Sequence, residues 1–260
     1  MSRSRLDVLL TDRGLFETRS AAAAAIRAGQ VQLGQDGPIA DKPGRLVEES
    51  AEIVLREQRR YVSRGGQKLE AALDAFGVDP AGKVCFDVGA STGGFTDCLL
   101  KRGAEHVIAL DVGSGQLDWQ LRNDERVTVV EGMNARELGP GSLPAAPDLA
   151  TIDVSFISLT LVLGPVLSVL APGGEVLAMV KPQFELGPER VGKGGVVRDA
   201  DDRRDALRRV ALRAAELGAP AVDSCPSGLP GPKGNRESFL RLVPGAEAPE
   251  LEAVILRAEP

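Results

Sequence analysis

"FDVGASTGGFTD", residues 86–97, starts as an apolar strand and finishes as the opening of a helix, with three glycines at the junction. Gly89, Gly93 and Gly94 let the backbone turn tightly and approach a ligand closely. Tight packing alone asks for the same glycines, so the loop does not decide between the two. The next apolar run does. It closes on Asp111, 22 residues beyond Gly89. That offset suits a carboxylate that accepts the ribose hydroxyls of an adenosine-type cofactor.

Working outward, residues 84–90, 106–113, 126–132, 148–156 and 175–181 read as five apolar strands. Between and after them stand helical stretches at 93–103, near 159–170 and from about Asp201 to Leu217. "SRGGQKLEAAL" (63–73) begins a helix before the first strand, and "GNRESFLRLV" (234–243) reads as a late strand. Strands alternating with helices predict a parallel α/β sheet covered on both faces. Ligands of such sheets gather at the carboxyl ends of the strands.

The first 58 residues follow a different pattern. "RLDVLLTDRG" and "TRSAAAAAIRAG" read as two helices closed by Gly14 and Gly29. Short strands follow at "QVQLG" and "AEIVLRE", and Arg3, Arg5, Arg13, Arg19 and Arg27 recur through the helical part. The pattern Arg5-Leu6-Asp7, Ser20, then Ile26-x-x-Gly29-x-Val31 resembles the small S-four-type RNA-binding fold. Arg19 precedes Ser20 here, where the family has it following. The resemblance implies phosphate contacts through guanidinium groups. The expected organisation is an RNA-binding domain at 1–58, a linker at 59–62 and a catalytic domain at 63–260.

Composition excludes much. Three cysteines (Cys85, Cys98, Cys225) fit no CxxC pair and no zinc spacing, so they are expected in the core. The single histidine, His106, opens a strand and leaves no triad. The net charge of −6 argues against a general nucleic-acid coat but allows a local basic face. The start lacks a secretory signal, and no run of about 18 uncharged apolar residues occurs. A cytoplasmic, metal-free monomer is expected. "GPERVGKG" (187–194) nearly spells a phosphate loop, but Gly194 stands where the magnesium-binding hydroxyl belongs. It reads instead as a basic loop, with Arg190 and Lys193, over a substrate channel.

The spacing Gly89-x-x-x-Gly93-Gly94 is not the dinucleotide fingerprint. "DVGAxxGG" with a strand-end acid resembles S-adenosylmethionine-dependent methyltransferases of the Rossmann-like class I type. The fourth strand ends "TIDVSF", with Asp153 where amine methyltransferases carry N-P-P-Y, and neither the fourth nor the fifth strand ends in a nucleophilic cysteine. What remains is Asp153 and Lys181, at the ends of strands expected to be neighbours. An acid and a lysine suit a hydroxyl acceptor. A lysine takes up such a proton if burial or a second cation favours its neutral form. Pro182 is expected to fix the turn that follows.

Lys68, Asp153, Lys181 and Glu237 resemble the K-D-K-E tetrad of the FtsJ/RrmJ-related 2′-O-methyltransferases, in which the second lysine is taken as the base. With an S-four-type module ahead of "RGGQKLEAAL", "FDVGASTGGFTDCLL", "TIDVSFISL" and "VKPQFE" in this order, the chain resembles the TlyA family over nearly its whole length. The resemblance implies 2′-O-methylation of cytidine in ribosomal RNA, on 16S and 23S or 23S alone, within 30S or 50S subunits. It also implies an R-x-W-V linker, which stands here as Arg59-Arg60-Tyr61-Val62. The expected cofactor shell is Asp87, Gly89, Ala90, Ser91, Thr92, Gly93, Gly94, Asp111, Asn134 and Asp153. Arg3, Arg5, Arg19, Arg27, Arg64, Arg190 and Lys193 are expected to meet RNA. The alternatives are an RNA-binding adaptor with a non-catalytic methyltransferase fold, or the membrane-active haemolysin that the family's other label suggests.

Overall fold

A computed structural model describes residues 2–56, 60–231 and 233–259. The chain divides into two compact units, Met1–Arg60 and Tyr61–Pro260. Arg59 of the expected linker lies outside the described residues.

In the first unit the order is β1 (Arg3–Arg5), α1 (Leu6–Asp12), α2 (Arg19–Arg27), β2 (Val31–Leu33), β3 (Leu46–Glu48) and β4 (Ile53–Leu55). β1 pairs antiparallel with β3, and β2 with β4. Leu6, Leu9 and Leu10 of α1 meet Ala22, Ala25 and Ile26 of α2 in a small core, the i, i+3, i+4 spacing of one helix face. Thr18 starts α2 by accepting the Ala21 amide at 3.1 Å, and Gly29 turns out of it at φ +68°. β1 and β3 were not foreseen from the sequence. β1 is Arg-Ser-Arg, with no apolar residue, and β3 buries only Val47 between two exposed neighbours, so neither shows the apolar run that marks β2 and β4.

The second unit holds a seven-stranded sheet. Its strands are β5 (Val84–Val88), β6 (His106–Asp111), β7 (Val127–Glu131), β8 (Leu149–Ile152), β9 (Glu175–Val180), β10 (Ala221–Pro226) and β11 (Ser238–Leu242). Across the sheet the order is β10-β11-β9-β8-β5-β6-β7. β5 to β9 run parallel, as the alternation of strands and helices predicts, and β11 runs antiparallel to both β9 and β10. The sheet is therefore mixed at one edge.

Helices cover both faces. α3 (Arg64–Phe76), α4 (Gly94–Lys101) and the short α5 (Trp119–Arg122) enclose one core. α6 (Leu163–Leu167), α8 (Ala200–Glu216) and α9 (Leu251–Ala258) enclose the other, and α7 (Pro182–Glu185) is a single turn after β9. The pleat divides the strands between them: Cys85 faces the first core, Phe86 and Val88 the second. All three cysteines are buried, and burial pushes each thiol up to about 12. The expected helix near 159–170 is instead a 3₁₀ turn, Leu159–Leu161, followed by α6.

Candidate active site

The sheet topology decides what meets what. β5, β8 and β9 are consecutive neighbours and parallel, so Asp87, Asp153 and Lys181 come to the same edge. β11 runs the other way, and Ser238 pairs with Val180. Glu237, which precedes the strand in sequence, therefore arrives beside the residue that ends β9. Lys68, in the second turn of α3, completes the set. All four tetrad residues line one cavity of about 610 Å³, within the size range of small-molecule sites.

Within it, Lys68 Nζ and Glu237 Oε2 form a pair at 2.5 Å, with both residues buried. Lys181 Nζ stands 2.5 Å from Asp153 Oδ1 and donates to Ser155 Oγ at 2.9 Å. The Asp153 contact is close but does not align as a hydrogen bond, for Oδ1 stays without one. The direct neighbour of Lys181 is thus an acid, not the second cation considered from the sequence. Pro182 sits at the first position of α7, where its fixed φ and missing N–H suit a helix start. It ends the strand by starting a helical turn.

The glycine loop has packing reasons as well as room for a ligand. A Cβ on Gly89 would stand 2.6 Å from the Asp153 carbonyl oxygen, and Gly89 has φ +89°. At Gly93, φ +93°, a Cβ would meet Leu121 Cδ1 at 2.3 Å. Gly89, Ala90, Ser91, Thr92 and Gly94 line the cavity with Asp87 and Asp153, whereas Gly93 faces the protein. Asp87 is fully buried. Its Oδ2 accepts the Thr96 amide at 2.8 Å and the Thr96 hydroxyl at 2.6 Å, and its Oδ1 has no partner. Burial pushes its carboxyl up to about 7, opposed by Thr96 and reinforced by Asp153 and Asp111.

Asp111 and Asn134 do not line this cavity. Asp111 accepts the Ser91 amide and the Gly113 amide, each at 2.8 Å. It braces the glycine loop and keeps free lone pairs on both oxygens. Asn134 caps a 3₁₀ turn through the Arg136 amide. Of the residues expected to meet RNA, Arg64 is exposed on the cavity wall. Arg190 is held by Asp202 and Asp205 of α8, and Lys193 is exposed away from the wall. Arg3 and Arg27 are exposed; Arg5 and Arg19 are exposed at one end and bonded to Asp7 at the other. Arg13 bonds the carbonyls of Ala51 and Glu49, a fold-holding role.

The sequence reading missed Ser155, Phe156, Gln183 and Phe184, all on the cavity. Phe156 is 92% exposed with φ +64°, and its ring centroid lies 5.2 Å from that of Phe184. A bulky residue in that conformation is strained, which points to a functional site. The available signal was two aromatics just past the acid and the lysine in a chain with seven phenylalanines.

The model of the FtsJ-like methyltransferase family matches residues 61–243, and that of the S4 domain residues 4–53. A relative from Mycobacterium tuberculosis, 16S/23S rRNA (cytidine-2′-O)-methyltransferase TlyA, is 48% identical over 92% of this chain and 90% of its own. The chain belongs to the TlyA family of FtsJ-like methyltransferases. A further relative, Hemolysin A of Brachyspira hyodysenteriae, is 38% identical over 92% of this chain and 99% of its own. A solved structure from Streptococcus thermophilus, 40% identical, covers 98% of this chain and 95% of its own with a TM-score of 0.73. A methyltransferase fold of this family implies use of S-adenosylmethionine. The residues fit that cofactor: a backbone loop lines the cavity, and the orphan Asp87 oxygen offers an acceptor for an ammonium group. Among the described residues no helix is long and apolar enough to cross a membrane, and no cluster of His, Cys, Asp or Glu is placed to hold a metal.

Proposed function

We infer that this protein methylates the ribose 2′-oxygen of a cytidine in ribosomal RNA. The observation that carries the reading is the Lys181–Asp153 pair, held at the ends of adjacent strands in one cavity with the glycine loop, Lys68 and Glu237. S-adenosylmethionine supplies an electrophilic methyl group on a sulfonium. Asp87, Gly89 to Thr92 and Gly94 would hold it, with Asp87 Oδ1 toward the ammonium. Asp111 braces that shell through the Ser91 amide, and Gly93 lets it pack closely on Leu117 and Leu121. Lys181 takes the proton of the 2′-hydroxyl. It must enter the step uncharged to accept that proton. Asp153 and Ser155 aim its nitrogen, and the buried Lys68–Glu237 pair fixes the wall beside it. General-base help of this kind contributes roughly 10²–10⁴-fold. Placement of the oxygen in line with the methyl contributes more. The strained Phe156 offers an aromatic face for the base of a nucleotide turned out of its stack.

The S4-type unit, taken as residues 1–58, presents Arg3, Arg5, Arg19 and Arg27 to RNA phosphates, with residues 59–62 as the coupling linker. On the C-terminal unit, Arg64, Arg190 and Lys193 are the residues proposed to meet RNA. The substrate is a ribosomal subunit, 30S, 50S or both, and the site of action is the cytoplasm. Lys181→Ala is expected to abolish methylation while cofactor affinity stays within a few-fold. Full activity in that variant ends the assignment. Mapping 2′-O-methyl stops of reverse transcriptase on rRNA from a deletion strain names the nucleotide and the subunit.

A further inference from the structure

Four buried side-chain polar atoms have no hydrogen-bond partner among the described residues. Three of them, Asp87 Oδ1, Asp153 Oδ1 and Gln183 Oε1, belong to residues lining the one cavity. All three are acceptors, so whatever fills the cavity has to bring donors. Lys181 stands against Asp153, and the cofactor's ammonium answers Asp87 in the reading above. Gln183 is left over: its side chain is half-buried, and a carbonyl oxygen buried without a partner is expensive to keep.

The sheet order says which ligand Gln183 meets. It follows β9, whereas Asp87 lies on β5 and Asp111 ends β6, two and three strands away. At the usual strand spacing those are roughly 10 and 14 Å. Gln183 therefore lies with Lys181 on the acceptor side of the cavity. Its neighbour on α7, Phe184, reaches the ring of Phe156.

We propose that Gln183 reads the target base, its Oε1 accepting the exocyclic N4–H of cytosine while its Nε2 donates to N3. This deepens the methyl-transfer reading and rests on it. Uracil presents an acceptor at O4 and a donor at N3, so the same amide would meet like with like. An amide turned end for end would prefer uracil. The direction of the preference therefore tests the orientation as well as the contact.

The experiment uses ribosomal subunits assembled with the mapped target as cytidine or as uridine, and full-length protein with tritiated S-adenosylmethionine. Wild type is expected to favour cytidine by about 5- to 100-fold in kcat/KM, the range of one base-edge contact. Gln183→Leu is expected to lose most of the cytidine-to-uridine ratio, falling on cytidine without falling on uridine, and to bind cofactor as wild type does. Gln183→Met, of matching length, should behave alike, and calorimetry of cofactor binding reports that either variant is folded. An unchanged cytidine-to-uridine ratio in both variants overturns the proposal, as does a wild-type preference for uridine. Loss of cofactor affinity in the variants assigns Gln183 to the cofactor and overturns it too. Wild-type protein that methylates neither subunit removes the methyl-transfer reading, and the base contact falls with it.

Discussion

In the N-terminal unit Asp7 is 4% exposed and its carboxyl is held down at about 2. In the C-terminal unit Asp87 is fully buried and its carboxyl is pushed up to about 7. The causes differ in kind. Asp7 receives Arg5 through two bonds, Arg19 through a third and the Val8 amide through a fourth, so its charge is answered where it forms. Asp87 receives only Thr96, on one oxygen, and desolvation dominates. A satisfied buried acid holds a fold together. An unsatisfied one at a strand end waits for a ligand.

Lys68 and Glu237 test the first half of that contrast inside the second unit. Their pair is buried and close, so it belongs with Asp7 in kind although it lines the cavity. Lys68→Ala leaves the Glu237 carboxylate in the interior without its cation. A loss of about 3–5 kcal/mol is expected, seen as a lower denaturant midpoint at unchanged slope. Activity should fall with it. A variant of wild-type stability that is still inactive would move the lysine from scaffold to chemistry and blur the contrast.

Asp87 tests the second half. Asp87→Asn keeps the shape and the Thr96 amide bond but cannot meet an ammonium with a charge. Cofactor affinity is expected to fall about 10- to 100-fold, the worth of a charge-assisted bond, while the ligand-free protein keeps or gains stability. The wild type should also bind cofactor more weakly as pH falls below about 7, by up to tenfold per unit, because binding must then expel the proton on Asp87. The variant should show no such slope. Stability of the ligand-free wild type runs the other way. Unfolded, the acid loses its proton near 4; folded, it keeps it to about 7. Stability therefore declines between those values and not above them. Calorimetry across pH 5.5–7.5 reads the affinity, and melts over pH 4–8 read the stability.

The contrast was only partly legible in the amino-acid order. β5 to β9 showed because buried parallel strands are long apolar runs, and the glycine loop and Asp111 showed because their spacing is fixed by chemistry. Glu237 came through family resemblance alone, since nothing local announces that β11 runs antiparallel and so returns it to Lys181. β1, β3 and β10 went unread, the first two because they carry one buried residue between them. Asp111 is legible as a strand-end acid, but its bonds to the Ser91 and Gly113 amides are not, since they depend on how the loops fold back. Gln183 was passed over because lacking a partner is a property of a packed interior, invisible until every neighbour is placed.

Asp7→Ala sharpens the comparison from the N-terminal side. It removes the acceptor of four bonds at the start of α1 and leaves two arginines able to turn to water. A loss of about 1–3 kcal/mol from the N-terminal unit is expected. In the wild type this contribution is complete above about pH 4 and fades as pH falls through about 2. Hydrogen exchange of α1 and α2 amides locates the loss, which should spare the C-terminal sheet. An equal loss in both units would break the assignment of Asp7 to its own core.

Arg19→Ala carries the smallest expected effect and asks what the arginines around Asp7 are for. Arg19 is 58% exposed at its side chain, so its 3.2 Å contact to Asp7 stabilises little, within about 0–1 kcal/mol. If it also meets a phosphate, the variant binds ribosomal RNA a few-fold more weakly. The slope of log affinity against log salt then shrinks by roughly 0.7–0.9, one contact's worth. Fluorescence anisotropy on an rRNA fragment at several salt concentrations measures this directly. A slope that stays the same while the melting temperature drops would make Arg19 the counter-ion of Asp7 and nothing more. The basic face of the N-terminal unit would then have to be carried by Arg3, Arg5 and Arg27.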